Sequence, residues 1–199
     1  MTMLSTNVKI SGVSPLLQNN PQTVDRFNKF TQQMAQINKR GAHRTDDDYR
    51  EMRDIEVRSK IYWDDGLQIY IPTTWMLAAL AGASFSTVKI SKAALRGSLF
   101  ATETKAKLHY RGMEKVAGPE DIVKNEQFRQ LMNLKQGQVR VVKAVPIFHD
   151  WSFETGLEFD DKTIDPATLD RLIQHVARYG GFGDFRPTFG RAQAEVDFG

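Results

Sequence analysis

From residue 151 onward the chain alternates strictly. Trp151, Phe153, Thr155, Leu157 and Phe159 are separated by Ser152, Glu154, Gly156 and Glu158, the period-two pattern of a strand with one buried face. Asp165 and Pro166 then supply an N-cap and a first helical residue. Leu169, Leu172, Ile173 and Val176 form one inward stripe before Gly180 can end the helix. A glycine-rich stretch leads to Ala192, Ala194, Val196 and Phe198, alternating with Arg191, Gln193, Glu195 and Asp197. Two half-buried strands joined by an amphipathic helix must bury the face that the helix covers. This constrains the chain to a layered sheet with helices on one side.

The remaining segments fit that layer. Val8 and Ile10 alternate with polar neighbours over residues 7–12, then Val13-Ser14-Pro15-Leu16-Leu17 reads as a strand leaving the sheet at a proline. Residues 21–60 hold Phe27, Phe30, Met34 and Ile37 at helical spacing, followed by a polar run over residues 39–48 that predicts a mobile loop. Residues 55–63 and 67–71 read as strands flanking Asp64-Asp65-Gly66, a hairpin turn signal. Pro72-Thr73-Thr74 opens a helix over residues 75–81 with Gly82 as its stop. Residues 91–97 form a weaker helical segment or turn, and residues 104–110 alternate as a strand with Lys105, Lys107 and His109 on one face. Residues 112–137 are polar and predict a projecting loop with a short helix near Phe128, Leu131 and Met132; residues 139–148 predict another strand. Without insertions the order is strand, helix, strand, strand, helix, strand. The expected class is α+β, a ferredoxin-like or RNA-recognition-motif-like antiparallel sheet with helices on one face and inserted loops. One domain over residues 1–199 is expected, with insertions at about 21–60 and 112–137, and the free sheet face is available to a ligand.

Several chemistries are excluded. The chain has no cysteine, hence no disulfide framework, thiolate zinc site or cysteine nucleophile. Asp46-Asp47-Asp48 are adjacent in sequence and point in different directions, a poor cradle for a magnesium ion. His43, His109, His149 and His175 show no HxxxH or HxH spacing, and His149-Asp150 reads as a turn. No Gly-x-Ser-x-Gly elbow is present. The glycines after residue 180 follow a helix and precede a strand, without Gly-Lys-Ser/Thr, so they are neither a Walker loop nor a dinucleotide fingerprint. No enzyme, cofactor or metal is expected. The amino-terminal residues lack a basic stretch followed by an apolar run, and no segment approaches the roughly 18 apolar residues of a membrane span. A soluble, cytoplasmic protein with no membrane partner is the expectation.

Charge points to a partner. Residues 89–143 carry 12 Lys/Arg against 5 Asp/Glu, and residues 144–199 carry 5 against 10. A basic middle beside an acidic end suits a polyanion-facing surface on one part and a solvated or partner-facing surface on the other. Candidate phosphate contacts are Lys89, Lys92, Arg96, Lys105, Lys107, His109 and Arg111, with Arg40 and Arg44 on the loop. The segment from Gly180 to Arg191 adds Gly180, Gly181 and Gly183 as a backbone anion nest, Arg186 and Arg191 as phosphate partners, and Phe182 and Phe185 as base-stacking rings. A plain helix cap with inward phenylalanines, a solvated sheet face and a disordered basic loop are the competing readings of these three groups.

The glycine-rich segment between the last helix and last strand, with Asp65-Gly66-Leu67-Gln68-Ile69-Tyr70-Ile71-Pro72 opening the first helix, resembles the RAMP superfamily, which includes the crRNA-binding backbone subunits of CRISPR effector complexes. The resemblance runs mainly over residues 56–82 and 147–198, and the helix start that is serine- and arginine-rich in the family is here Thr73-Thr74-Trp75. The chain is also similar to small phage proteins ending in Gly-Asp-x-Arg-Pro and Phe-Gly-Arg. The resemblance implies a modified RNA-recognition fold, single-stranded nucleic acid along a basic face, head-to-tail assembly, and a thumb-like element at residues 21–60. The resulting expectation is a non-catalytic, phage-related single-stranded DNA- or RNA-binding protein that coats its ligand as a cooperative homo-oligomer. The alternative is a protein-interaction factor that mimics or caps a CRISPR-type assembly, or a structural phage component, using the acidic last quarter as its contact surface.

Overall fold

A computed structural model describes residues 3–198 of the chain, which is α+β. The strands are β1 (Met3–Gly12), β2 (Leu16–Leu17), β3 (Trp63–Asp64), β4 (Gln68–Pro72), β5 (Leu99–Ala101), β6 (Lys105–Lys107), β7 (Arg129–Gln136), β8 (Val139–Phe148), β9 (Ser152–Asp160) and β10 (Ala192–Asp197). The α-helices are α1 (Lys29–Asn38), α2 (Asp46–Lys60), α3 (Thr74–Val88), α4 (Lys92–Ser98), α5 (Pro119–Lys124) and α6 (Pro166–His175). The chain divides into two compact units. One takes the residues through Leu16, Asp64–Arg111 and the residues from Phe148 on; the other takes Leu17–Trp63 and Gly112–Ile147. The second unit holds both segments expected as insertions.

The first unit is built on the sheet β10-β1-β9-β5, in which every pairing is antiparallel. Helices α3 and α6 pack against each other, giving the order β1-α3-β5-β9-α6-β10. Alternation places Val8 and Ile10 of β1 and Phe153, Leu157 and Phe159 of β9 in the core, where each ring or branched side chain contributes on the order of 1.5 to 3 kcal/mol of transfer free energy. Asp165 caps α6 by accepting from the Thr168 N–H at 2.9 Å, and its hydrogen bonds with the Thr168 side chain and then with that N–H hold its carboxyl below the usual carboxylate range. The helix closes in a π-helical turn, Val176–Gly180, and the Gly181 N–H returns to the Val176 carbonyl at 2.8 Å. A smaller antiparallel pairing of β4 with β6 also belongs to this unit.

Trp151 joins the sheet end to the glycine-rich loop. Its indole N–H donates to the Ser14 carbonyl at 2.7 Å, and a side chain at Gly12 would lie 2.2 Å from that nitrogen. The Phe182 N–H donates to the Gly190 carbonyl, and the Gly190 N–H donates to Pro15, both at 2.8 Å. Gly190 has φ +76°, and a Cβ there would meet the Phe182 carbonyl oxygen at 1.8 Å. Only glycine allows that approach.

The first unit corrects two boundaries: the strand expected over residues 104–110 is β6 at Lys105–Lys107 alone, with His109 in a separate bridge to Ser152, and the helix expected over residues 75–81 is longer. Gly82 does not stop the helix: α3 runs on to Val88 and ends where Lys89 adopts φ 63°. Nothing lies within 4 Å of where a Gly82 Cβ would stand, and a lone exposed glycine costs a helix only about 1 kcal/mol relative to alanine.

The second unit departs further from its sequence reading. The polar run over residues 39–48 holds a 3-10 turn at Gly41–His43 and then enters α2 at Asp46, and the strand expected over residues 55–63 is helical through Lys60, with only Trp63 in a strand. Thr45 and Asp48 form a capping box, and Asp46, Asp47 and Asp48 fill the first turn, where carboxylates favour the helix dipole. The triad of carboxylates is thus a helix start. Phe27 lies before the Asn28 cap of α1 and is 69 % exposed, so it is not part of the inward stripe; Phe30, Ile37 and Ile55 form the core between α1 and α2. The short helix expected near Phe128 is a 3-10 turn at Glu126–Phe128, preceded by α5, whereas Leu131 and Met132 lie in β7. Buried Glu56 fastens α2 to β8: its carboxylate accepts from Lys143 Nζ and from the Ala144 N–H, both at 2.8 Å, while Lys60 Nζ donates to the Ala144 carbonyl at 2.6 Å.

Candidate nucleic-acid interface

Strand β6 pairs antiparallel with β4, setting Lys107 opposite Tyr70 and Lys105 opposite Pro72. Lys105 and Lys107 share one face of that short strand, His109 lies beyond it, and the charge of Lys105 is already answered. Lys105 Nζ lies 2.6 Å from Asp64 Oδ2 and 4.9 Å from the centre of the Tyr70 ring. The hydrogen bond from Lys105, followed by that of the Gly66 N–H, lowers the Asp64 pKa, and Asp64 raises that of Lys105. Arg111 grips Asp150 in the same way, Nη2 to Oδ2 at 2.5 Å. His109 is exposed, and its backbone exchanges two 2.8 Å hydrogen bonds with Ser152. A phosphate reaching Lys105 or Arg111 must compete with a resident carboxylate.

Lys89, Lys92 and Arg96 are different. α3 ends at Lys89 and α4 begins one turn later, its Ser91 side chain accepting from the Ala94 N–H at 3.1 Å. The corner exposes all three cations, and none is in an ion pair among the described residues. Lys89 Nζ stands 5.6 Å from the centre of the Phe85 ring, which is 65 % exposed. Beside the corner an open groove of about 300 Å³ runs between α3, α4 and β5, with Arg96 and the 46 % exposed Phe100 among its walls. The sequence reading did not single out Phe85 or Phe100. The available signal was the absence of any charged residue in the fifteen positions of α3 together with Phe85 four residues before Lys89.

The glycine-rich loop does not form the expected cradle. Phe182 is 1 % exposed and meets Trp151 and Phe153 edge-to-face, with centroids 6.3 and 5.6 Å apart; a ring fixed in the core cannot stack on a base. The Gly181 N–H is bonded to Val176 and the Phe182 N–H to Gly190, so consecutive amides do not converge on an anion. Gly180 belongs to the π-helical turn, whereas Gly183, with φ +75°, shapes the loop. Phe185 is half-buried, and Arg186 and Arg191 are exposed. The Arg191 backbone is held by Val13 and Ser14.

The free face of the larger sheet is acidic. Its open groove of about 750 Å³ is lined by Glu103, Glu154, Glu195 and Asp197, with Lys9 its one cation. Lys9 itself sits in register between Glu195 and Glu154. This corrects the expectation that the free sheet face serves a polyanion: the same alternation that buries the apolar residues turns these carboxylates outward. In the second unit Arg40 is paired with Asp48, and Arg44 bonds the Gly41 carbonyl and the Asn38 side chain and stacks on Tyr49 at 5.4 Å. Among the described residues no three carboxylate or imidazole side chains gather as a metal donor set, and no helix is long and apolar enough to cross a membrane.

The fold and this distribution of charge define an α+β protein with a basic, aromatic corner and an acidic sheet face. No family model matches the chain, and no curated protein matches it. Among solved structures it is similar to a chain in the cryo-EM structure of the Type III-B Cmr-β complex bound to cognate target RNA, with 10 % identity and a TM-score of 0.55. The match covers 98 % of this chain and 61 % of that one, so this chain spans less than two thirds of the neighbour's length. At that identity the likeness is one of fold.

Proposed function

We propose that this protein binds single-stranded nucleic acid without catalysing a reaction on it, in keeping with a RAMP-like backbone subunit. The supporting observation is the trio Lys89, Lys92 and Arg96, exposed and outside any ion pair among the described residues, with the exposed Phe85 ring beside Lys89. Cations that track phosphates beside rings that stack on bases are the physical ingredients of sequence-tolerant single-strand binding. Lys107, Arg186 and Arg191 add exposed or half-exposed charge. The fold shared with a chain of an RNA-bound complex agrees with this reading. In this proposal the protein coats DNA or RNA as a cooperative homo-oligomer in a phage setting.

Fluorescence anisotropy with labelled single-stranded DNA and RNA at two salt concentrations tests the reading. Each phosphate contact on a single strand contributes a log–log salt slope of about −0.7. Reversing Lys89, Lys92 and Arg96 to Glu therefore removes about two units of slope along with most of the affinity. Affinity that ignores both salt and the triple variant refutes the proposal. The acidic sheet face favours a second reading, a protein-interaction factor whose partner is basic; that reading expects no length-dependent oligonucleotide binding.

A further inference from the structure

The free face of the larger sheet presents its side chains in a regular pattern. Along β9, Glu154 and Glu158 flank Gly156 on that face, and the strand rise sets the two carboxylates about 13 Å apart. Glu158 stands directly across from Phe100 of β5 on one side and from Ser5 of β1 on the other. The Phe100 ring, 46 % exposed, therefore shares the acidic face. Lys9 lies in register between Glu195 and Glu154, so that row carries a cation of the chain's own; the Phe100–Glu158–Ser5 row and the Gly156–Asn7–Asp197 row carry none. No ion pair among the described residues engages Glu154, Glu158 or Glu195. These carboxylates are spread over the face and do not gather as a metal donor set. Such spacing suits several cations on one extended chain, not a single ion.

We propose that this face docks an extended, arginine-rich segment of a partner protein, running along β9 with guanidinium groups at Glu154 and Glu158. Alternate residues of an extended chain repeat about every 6.6 Å, so arginines four residues apart match that pair. The open groove that includes Gly156 takes the stretch between them. At Glu158 the guanidinium also lies on the Phe100 ring, a combination of carboxylate fork and aromatic stacking that lysine does not reproduce. A polyanion is repelled from this face. The inference rests on the second reading of the acidic face given above and adds the partner's chemistry and its seat.

Anisotropy of fluorescein-labelled peptides that alternate arginine with serine, or lysine with serine, tests the proposal on the full chain at about 0.15 M salt. Wild-type protein is expected to bind the arginine peptide more tightly than the lysine peptide. Glu154→Lys with Glu158→Lys, both at exposed side chains, turns two attractions into repulsions and should weaken arginine-peptide binding about tenfold or more; Glu154→Gln with Glu158→Gln should give a smaller loss. Phe100→Ala should weaken it about threefold and remove the arginine preference. Arginine-peptide binding that survives both changes puts the basic partner elsewhere and overturns the proposal while leaving the second reading intact. Equal wild-type affinity for the two peptides reduces the face to diffuse charge and likewise overturns it. Wild-type self-association, seen by sedimentation and abolished by the Glu→Lys pair, makes a second copy the occupant and also overturns it. If wild-type protein binds neither peptide, the second reading fails as well, and oligonucleotide binding, measured separately, is untouched by that result.

Discussion

Phe182→Ala separates a core ring from a base-stacking ring. Phe182 is fully enclosed and makes edge-to-face contacts with Trp151 and Phe153, each worth about 0.5 to 1.5 kcal/mol beyond area burial. Truncating a buried phenylalanine removes its transfer free energy and leaves a cavity, together about 3 to 5 kcal/mol. For a chain of this length each kcal/mol moves the thermal midpoint by about 2 to 4 °C, so the variant should melt about 6 to 20 °C below the wild type. Circular dichroism melts at pH 7 measure the shift, and Phe182→Leu, which retains most of the volume, should fall by much less. Oligonucleotide affinity measured at 10 °C, where the variant is still folded, should stay within about twofold of wild type, because the ring never reaches the ligand. An unchanged melting temperature combined with a tenfold loss of affinity would show that the ring is exposed and stacks on bases, refuting its placement in the core.

Two further outcomes follow from the geometry. Glu56→Ala strands the buried Ala144 N–H and Lys143 and should cost about 1 to 3 kcal/mol, whereas Glu56→Gln keeps an acceptor and should cost less; equal urea midpoints for the two variants would contradict the assigned hydrogen bonds. The Asp165 carboxyl is held below its ordinary value by its bonds to Thr168. Its contribution is therefore fully present above the unfolded carboxylate value of about 3.9 and is lost as pH falls through the lower folded value. Urea midpoints taken from pH 7 to pH 2 should fall less steeply in Asp165→Asn than in wild type, and identical profiles would deny Asp165 this role.

Local pattern made part of the molecule legible. Alternation in β9 and β10, and the Asp165-Pro166 start of α6, each depend on residues a few positions apart, so strand faces and the helix start can be read directly. Residues 39–60 show the limit. Polar residues and three aspartates resemble a loop in composition, yet Thr45 and Asp48 close a capping box and the α1–α2 packing stabilises a fifteen-residue helix. Phe182 shows it again: a phenylalanine among glycines suits an exposed nest until Trp151, thirty-one positions away in sequence, provides the wall it packs against.

The sequence by itself determined the α+β class, the inward and outward faces of the principal strands, the basic middle and the acidic end, because these follow from residue type and short-range periodicity. Tertiary structure alone decided which charges are available. Lys105 meets Asp64 across forty-one residues and Arg111 meets Asp150 across thirty-nine, while Lys89, Lys92 and Arg96 meet no carboxylate among the described residues. Coulomb interactions depend on distance in space, and the chain order of lysines and aspartates does not contain those distances.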